Sequence, residues 1–274
     1  MLSLFKMARP ENILIAILTL AVGCFISGGE ISTAVFAADA IAFAFAIAFG
    51  NVLNDILDVE IDGKCHPERP IPSKKISMRT AKFFAAACFV FAFLPVLFPD
   101  VRAKFHAAFY AILLVTLFLY DRFLKRVPLL KNATVALLCA TPIIRAMFLP
   151  GSDVRPLAVT AVFAFLLTLS REIAKDLEDV EGDAFRGIET FPLRFGKRPA
   201  QRLSGSLVIL TNAAVLFSVL LSWFPKGFLV SLAAIFPLSV RILKDLRREN
   251  FHRAQKLVKV LMPIGLVAIL LSNL

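Results

Sequence analysis

The sequence has few charged residues and few residues of the types that bind transition metals. Only 19% of its 274 residues are charged, whereas a soluble domain needs roughly a quarter to cover its surface. Its four cysteines and three histidines match no metal or redox motif in their spacing. A soluble fold is therefore excluded, and the cysteines are expected to be reduced, small apolar residues.

Apolar residues make up 58% of the chain and occur in long runs. Because a spanning helix needs about 20 apolar residues, the runs predict membrane helices, and the lack of period-2 alternation argues against a barrel. No A-x-A-like site follows the first run, which favours a first span over a signal peptide. The sequence predicts an all-α polytopic membrane protein, residues 1–274 forming one domain. The nine predicted spans are about 13–29, 33–53, 81–98, 104–121, 132–149, 156–173, 204–223, 226–242 and 257–272.

The formal net charge of the chain is +11, and its Lys and Arg residues are concentrated in every second loop. With the amino terminus placed in the cytoplasm, every inner segment is rich in Lys and Arg, as the positive-inside rule requires. The carboxyl terminus then lies outside the cell membrane. This placement excludes nucleic acid as the partner, and the basic segment 241–259 is expected to contact anionic lipid headgroups. The outer side has only Arg102, Lys104, Arg155 and Lys226.

The first of two long inner loops, about 54–80, contains the motif NDILDVEIDGKCHPERP. Asn54, Asp58 and Asp62 are spaced i, i+4, i+8, so they would share one face of a helix.

The second long inner loop, about 174–203, begins with a similar acidic motif, REIAKDLEDVEGD. Asp176, Asp179 and Asp183 are spaced i, i+3, i+7 and would also share a face. The Asp179 to Asp183 offset equals that of the first motif, which suggests a duplicated unit.

The two acidic stripes predict a cation site at the cytoplasmic side. Like charges on one helical face are unfavourable by roughly 0.2–0.5 kcal/mol per pair, so a cation is expected to compensate them. Carboxylates without a paired His or Cys favour a hard ion, and Mg²⁺ takes one or two carboxylates and completes its shell with water and phosphate oxygens. The stripes therefore predict Mg²⁺ bound to a diphosphate.

Basic side chains near the stripes are expected to bind phosphate and stabilise a leaving diphosphate. Beside a hydrophobic bundle, the departing group would be an isoprenoid, its tail among the 27 Phe residues. The basic candidates are Lys64, Arg69, Lys175 and Arg186, with Lys125 and Arg126 on the inner segment 121–131.

A charged residue inside a span suggests function because its burial in hydrocarbon is costly. Arg145 lies in the fifth apolar run and is expected to meet a phosphate; snorkelling toward the outer surface is the alternative. Simple solvation is the alternative for the acidic motifs. It applies most to Asp55, Asp176 and Glu172, which would then be exposed neighbours.

At these residues the chain resembles the UbiA superfamily of intramembrane prenyltransferases, over essentially its whole length. Asn54, Asp58 and Asp62 match the N-x-x-x-D-x-x-x-D motif, and Asp179 with Asp183 matches D-x-x-x-D. Arg9, Pro10 and Asn12 match R-P-x-N, and Tyr120, Lys125 and Arg126 match Y-x-x-x-x-K-R. The second acidic motif is most similar to that of the archaeal digeranylgeranylglyceryl phosphate synthases.

The resemblance implies nine helices around a central cavity open to the cytoplasm, and geranylgeranyl transfer from geranylgeranyl diphosphate to the hydroxyl of geranylgeranylglyceryl phosphate. The implied ligands of Mg²⁺ and diphosphate are Asn54, Asp58, Asp62, Asp179 and Asp183, with Lys125 and Arg69 contacting phosphate. Lys64 and Arg186 would have a second role at the acceptor phosphate.

Three other functions remain to be weighed against this one. An aromatic acceptor, such as a quinone or haem precursor, is compatible with the same motifs. A secondary transporter would place its carboxylates near mid-membrane, in broken spans. A CDP-alcohol phosphotransferase would have A-R after Asp62 and Gly63, which this chain lacks.

Overall fold

Helices form the regular secondary structure of this chain. The computed structural model describes residues 2–94, 103–185, 187–224 and 226–272, and no strand occurs among them. The all-α prediction is confirmed.

The chain forms two compact units, of which the first comprises residues up to Ala21 and Glu30–Phe123. Ser32 caps its longest helix, since its Oγ accepts a hydrogen bond from Val35 N at 3.2 Å. The helices, in chain order, are α1 (Leu2–Ala8), α2 (Pro10–Ile26, which continues into the second unit), α3 (Thr33–Leu57), α4 (Val59–Cys65), α5 (Met78–Phe91) and α6 (Ala103–Arg122).

Small residues on α3 allow close helix packing in the first unit. Ala38, Ala42, Ala46 and Gly50 recur every fourth position and are buried, so they form one buried face of α3, a helix that packs against α5 and α6. At Gly50 an added Cβ would lie 2.9 Å from Leu117 Cδ2 of α6. Small side chains therefore determine how closely these helices approach.

The second unit comprises Val22–Gly29 and the chain from Leu124 onward. Asp153 caps α8, with Oδ1 accepting from Arg155 N at 3.0 Å, and the hydrogen bond from the Arg155 side chain lowers the pKa of Asp153. The helices are α7 (Leu130–Ala146), α8 (Val154–Glu178), α9 (Val180–Phe185), α10 (Phe191–Phe195), α11 (Lys197–Leu220), α12 (Leu232–Arg247) and α13 (Phe251–Ser272).

Both apolar packing and hydrogen bonds between helices hold the second unit together. Its core lies between α8, α11, α12 and α13, where Ile173, Val208 and Ile242 are fully buried. Ser170 and Ser204 join α8 to α11 through Oγ atoms 3.0 Å apart. Such polar links matter in a bilayer because lipid competes for apolar contacts but not for hydrogen bonds.

The two units contain helices of the same length at equivalent positions. α3 and α8 each have 25 residues, and α2 and α7 each have 17. Arg9 and Leu129, which precede α2 and α7, both have positive φ, 53° and 65°. Each long helix is followed by a short one, α4 or α9. This repetition supports the duplicated unit inferred from the acidic spacings.

The helices identify the chain as a multi-pass membrane protein. Among the described residues, five helices are long and apolar enough to span a bilayer, namely α3, α6 from Phe105, α8, α11 and α13. Large apolar side chains on their outer faces are exposed, for example Ile112 at 67% and Leu220 at 68%, as expected of surfaces that contact lipid. Each of the nine predicted runs contains a helix, but α2, α5, α7 and α12 have 17 residues or fewer. The count of nine spans stays a prediction.

Much of the two predicted inner loops is helical. α3 and α8 continue to Leu57 and Glu178, and α4, α9 and α10 lie within the predicted loops. The acidic motifs therefore lie at helix ends. The outer connection predicted around Asp100 lies outside the described residues. The single domain and the central cavity stay predictions.

Candidate active site

The first acidic motif lies where α3 ends and α4 begins. Asp58, between them, has φ −95° and ψ 9°, the sparsely populated region in which many active-site residues are found. Its N–H still donates to Asn54 O at 2.9 Å, and Asp62 N donates to Asp58 O at 2.8 Å. The helical turn is thus nearly preserved, so Asp58 and Asp62 stay one turn apart, as the spacing predicted.

Two arginines neutralise the buried carboxylates of the first motif. Arg69 Nη1 lies 2.7 Å from Asp62 Oδ2 and 3.7 Å from Asp55 Oδ1. Arg9 Nη2 lies 3.2 Å from Asp55 Oδ1, and Arg9 Nη1 donates to Asn51 Oδ1 at 3.1 Å. Asp55 and Asp62 are only 6% and 4% exposed. Asp55 is therefore an anchored carboxylate, and the interpretation as an exposed neighbour is wrong for it.

The Asn54 amide joins this motif to the end of α6. Asn54 Nδ2 donates to Asp58 Oδ2 at 3.0 Å and to Asp121 Oδ1 at 3.1 Å. Asp121 is 3% exposed and directly follows Tyr120, one of the residues expected at the site.

The second acidic motif has the same local structure as the first. Asp179, between α8 and α9, has φ −91° and ψ 6°. Its N–H donates to Lys175 O at 3.0 Å, and Asp183 N donates to Asp179 O at 2.8 Å. Asp183 is buried, as Asp62 is. Each unit therefore presents one partly exposed and one buried carboxylate, one turn apart, at the end of a 25-residue helix.

Asp176 is held by the start of α7. Its Oδ1 lies 2.8 Å from Lys131 Nζ, and its Oδ2 accepts from Asn132 Nδ2 at 2.9 Å. With 5% exposure it is not an exposed neighbour either. Both oxygens of Asp176 are therefore engaged, and metal binding by it stays a prediction. Glu172 is partly buried and pairs with Arg171.

A contact with α13 holds the residue that precedes Asp179. Glu178 Oε1 lies 2.6 Å from His252 Nδ1, and Glu178 Oε2 accepts from Gln255 Nε2 at 3.3 Å. The end of α8 is thereby held on two sides, by α7 through Asp176 and by α13 through Glu178.

The other residues expected at the site differ in exposure. Lys125 and Arg126 form a short 3₁₀ turn, Leu124–Arg126, just before α7. Arg145 is 1% exposed and is the largest fully buried side chain described, so it does not snorkel to the surface. Arg186 lies outside the described residues. Asn12, Lys64, Arg126 and Lys175 are exposed, and Tyr120 and Lys125 are partly buried.

The carboxylate oxygens of the two motifs are suited to Mg²⁺ that binds together with phosphate, and less to a metal site formed by protein side chains alone. In the described part of the chain no three His, Cys, Asp or Glu side chains are grouped closely enough to hold an ion. Each motif offers carboxylate oxygens from two Asp residues, Asp58 with Asp62 or Asp179 with Asp183. Mg²⁺ commonly takes one or two carboxylates and the remaining ligands from water and substrate phosphate. The residues present therefore fit a metal that arrives with a diphosphate.

Several side chains that organise the site were not predicted to belong to it. Asp121 bonds to the predicted site residue Asn54, and Lys131 and Asn132 bond to the predicted site residue Asp176. Asn51 accepts from Arg9, which in turn holds Asp55. Asn51 had a local signal, because it lies four residues before Asp55. The other contacts join residues more than 40 positions apart, so local spacing did not reveal them.

Comparisons with known proteins agree with this geometry. The family model described as the UbiA prenyltransferase family matches residues 15–265. Digeranylgeranylglyceryl phosphate synthase of Methanopyrus kandleri is 37% identical over 98% of both chains, and that of Thermococcus kodakarensis is 33% identical over 98% of this chain and 97% of its own.

Solved structures show the same fold. One, from work on digeranylgeranylglyceryl phosphate synthase in membranes, has a TM-score of 0.83 and 27% identity, covering 99% of this chain and 97% of that one. A UbiA homolog from Archaeoglobus fulgidus bound to GPP and Mg²⁺ has a TM-score of 0.71 and 18% identity, covering 97% and 99%. The predicted family is confirmed: this chain belongs to the UbiA prenyltransferase family and is a membrane-spanning prenyltransferase.

Proposed function

We propose that this protein transfers a geranylgeranyl group from geranylgeranyl diphosphate to the free hydroxyl of geranylgeranylglyceryl phosphate, with Mg²⁺ and release of diphosphate. The observation that carries the proposal is the pair of matched carboxylate-bearing helix ends. The acceptor is inferred from relatives named digeranylgeranylglyceryl phosphate synthase, one of them 37% identical over nearly the full length.

Four carboxylates are the proposed ligands of the metal, through which they would hold the diphosphate. Asp58 and Asp62 act in the first unit, and Asp179 and Asp183 in the second, with Asn54 as a further oxygen ligand. Bound Mg²⁺ would neutralise negative charge that develops on the departing diphosphate. Asp176 is a weaker candidate because Lys131 and Asn132 already occupy its oxygens.

Basic side chains complete the proposed phosphate site. Arg69 already holds Asp62 and can donate to phosphate from its remaining N–H groups, while Lys125 supplies a second positive charge. Their proposed role is to stabilise the diphosphate oxygens as the bond breaks. Proposed contacts to donor or acceptor phosphate, or to the substrate near it, come from Asn12, Lys64, Tyr120, Arg126, Arg145, Lys175 and Arg186.

The proposed reaction breaks one bond and forms another at the same carbon. The C1–O bond of the allylic diphosphate breaks, and diphosphate leaves with the electron pair. The acceptor hydroxyl oxygen bonds to the resulting allylic carbon and releases its proton, so the products are the ether, diphosphate and one H⁺. The site must keep water from the cation, and a membrane-embedded apolar surface serves that purpose.

The proposed orientation places the acidic motifs in the cytoplasm. Lys and Arg predominate in the segments on that side, which include Lys64, Arg69 and Lys125, as positive-inside insertion requires. With nine spans, the amino terminus lies in the cytoplasm and the carboxyl terminus outside the cell membrane.

The test is turnover by purified protein in detergent. Mg²⁺ and radiolabelled geranylgeranyl diphosphate are supplied with geranylgeranylglyceryl phosphate or, in parallel, with a hydroxybenzoate. We expect label only in the ether lipid. Label only in the hydroxybenzoate would replace the proposed acceptor with an aromatic one.

Variants of the two motifs assign the activity to the site. Asp58→Ala and Asp179→Ala should each lower kcat/KM about 100-fold or more, since each removes a proposed ligand of the Mg²⁺ that would stabilise the negative charge developing on diphosphate. Asp153→Ala is the matched control and should keep full turnover, because among the residues that the structure describes its carboxylate pairs with the largely exposed Arg155 alone. Full turnover by both motif variants with either acceptor would refute the assigned roles.

A further inference from the structure

The Asn54 side chain lies between two carboxylates. Its single amide nitrogen donates to Asp58 Oδ2 at 3.0 Å and to Asp121 Oδ1 at 3.1 Å. An amide nitrogen has two hydrogens, so both are used. The carbonyl oxygen, Oδ1, therefore faces away from these two acids with its lone pairs available.

Asp121 determines this orientation. An ionised carboxylate can only accept hydrogen bonds, and a flipped Asn54 would bring its own oxygen against two carboxylates. Asp121 belongs to α6, lies 67 positions away from Asn54 and is 3% exposed. It is thus fixed by the packing of a different helix and imposes one orientation on the amide.

We propose that Asp121 is a positioning residue that aims Asn54 Oδ1 and Asp58 at the metal-bound diphosphate. This inference rests on the proposed function, since it assigns a task to Asn54 in that site. A residue that hydrogen-bonds to a metal ligand fixes the orientation of that ligand. Mutation of such a residue typically weakens metal affinity about 10- to 100-fold. In this role Asp121 would act through Asn54 and would not be a ligand of the metal itself.

The experiment measures metal binding without turnover. Mn²⁺ is titrated with methylenediphosphonate into detergent-purified protein, and free Mn²⁺ is followed by electron paramagnetic resonance. Asp121→Asn keeps the size of the side chain but can face Asn54 with either its oxygen or its NH₂ group. Asp121→Ala removes the acceptor. We expect Mn²⁺ affinity to fall about 10-fold or more in Asp121→Ala and by a smaller factor in Asp121→Asn.

Asp39→Asn is the matched control. Asp39 is also a buried carboxylate between α3 and α6, since its Oδ1 accepts from Tyr110 OH at 2.7 Å, but it lies 15 residues before Asn54 in sequence. Its variant should keep wild-type Mn²⁺ affinity. Wild-type affinity in Asp121→Asn and Asp121→Ala, or an equal loss in Asp39→Asn, would overturn the inference, as would wild-type protein that binds no Mn²⁺.

Two further outcomes are also informative, a variant that does not fold and metal binding without product. Should Asp121→Ala not yield a monodisperse protein, Asp121→Asn decides, with reduced affinity supporting the inference and wild-type affinity rejecting it. The result is also distinct from the proposed function: weakened Mn²⁺ binding without any geranylgeranyl product would reject the reaction and keep the positioning role.

Discussion

In the proposed reaction the Arg69 guanidinium would have two partners, the buried acids of the first motif and the donor phosphate. Its Nη1 binds Asp62 Oδ2 at 2.7 Å and approaches Asp55 Oδ1 at 3.7 Å, so it neutralises acids that are almost fully buried. Buried carboxylates without such a partner would be strongly unfavourable. If a metal and diphosphate bind Asp62 as proposed, the same guanidinium could turn additional N–H groups to phosphate. Arg69 would then contribute both to the stability of the acidic motif and to binding of the donor.

We predict that Arg69→Lys lowers kcat/KM for the prenyl diphosphate about 10- to 100-fold. Lysine keeps the charge but lacks the planar fork, whose remaining N–H groups would donate to phosphate while Nη1 stays on Asp62. The loss should therefore appear mainly as a higher KM. Steady-state kinetics with varied geranylgeranyl diphosphate measures it.

Arg155→Lys is the control, because Arg155 makes a contact of similar length, 2.8 Å from Nη2 to Asp153 Oδ2, in a pair that is 65% and 44% exposed. Equal KM values for wild type and Arg69→Lys would contradict the role of the fork.

At the level of helices, the same structural unit occurs twice. α3 and α8 each end one residue before an Asp, Asp58 or Asp179, whose φ and ψ are about −90° and 0°. A short helix follows each of these Asp residues. Different partners hold the two units, Arg9 for Asp55 but Lys131 for Asp176. The geometry of the carboxylates is therefore reproduced although the residues that support it differ. Accurate positioning of α3 depends in turn on its small-residue face.

We predict that Ala46→Leu destabilises the protein by about 1–3 kcal/mol. Ala46 is fully buried on the face that packs against neighbouring helices, so a larger side chain must displace one of them. The unfolding midpoint in an SDS titration of mixed micelles measures the change. Ala37→Leu tests whether any larger side chain on α3 has this effect, because Ala37 is exposed and should leave the midpoint unchanged. A midpoint equal to the wild type in Ala46→Leu would show that the face tolerates expansion.

For the whole molecule, the sequence predicted features that neighbouring residues determine and missed contacts between residues far apart in the chain. The helical membrane fold follows from apolar runs of about 20 residues, and the Asp58 to Asp62 spacing follows from one helical turn; both are confirmed. The partners of the motifs are nonlocal, with 46 positions between Arg9 and Asp55 and 67 between Asn54 and Asp121. Such pairs depend on how helices pack, and a single sequence with soft helix ends does not specify it. Burial of Asp55 and Asp176 was missed for the same reason.

Membrane orientation is a property of the whole chain that the native cysteines can report. Cys65 lies in α4 and is exposed, Cys88 is buried, and Cys139 is exposed on α7 within an apolar run, where lipid would cover it. We predict that a membrane-impermeant maleimide labels Cys65 only from the cytoplasmic side, in inverted vesicles and not in intact cells. Cys65→Ser should remove the signal. In that background Glu30→Cys, at an exposed position between α2 and α3, should be labelled only in intact cells. Labelling of Cys65 in intact cells would reverse the orientation and place the acidic motifs outside.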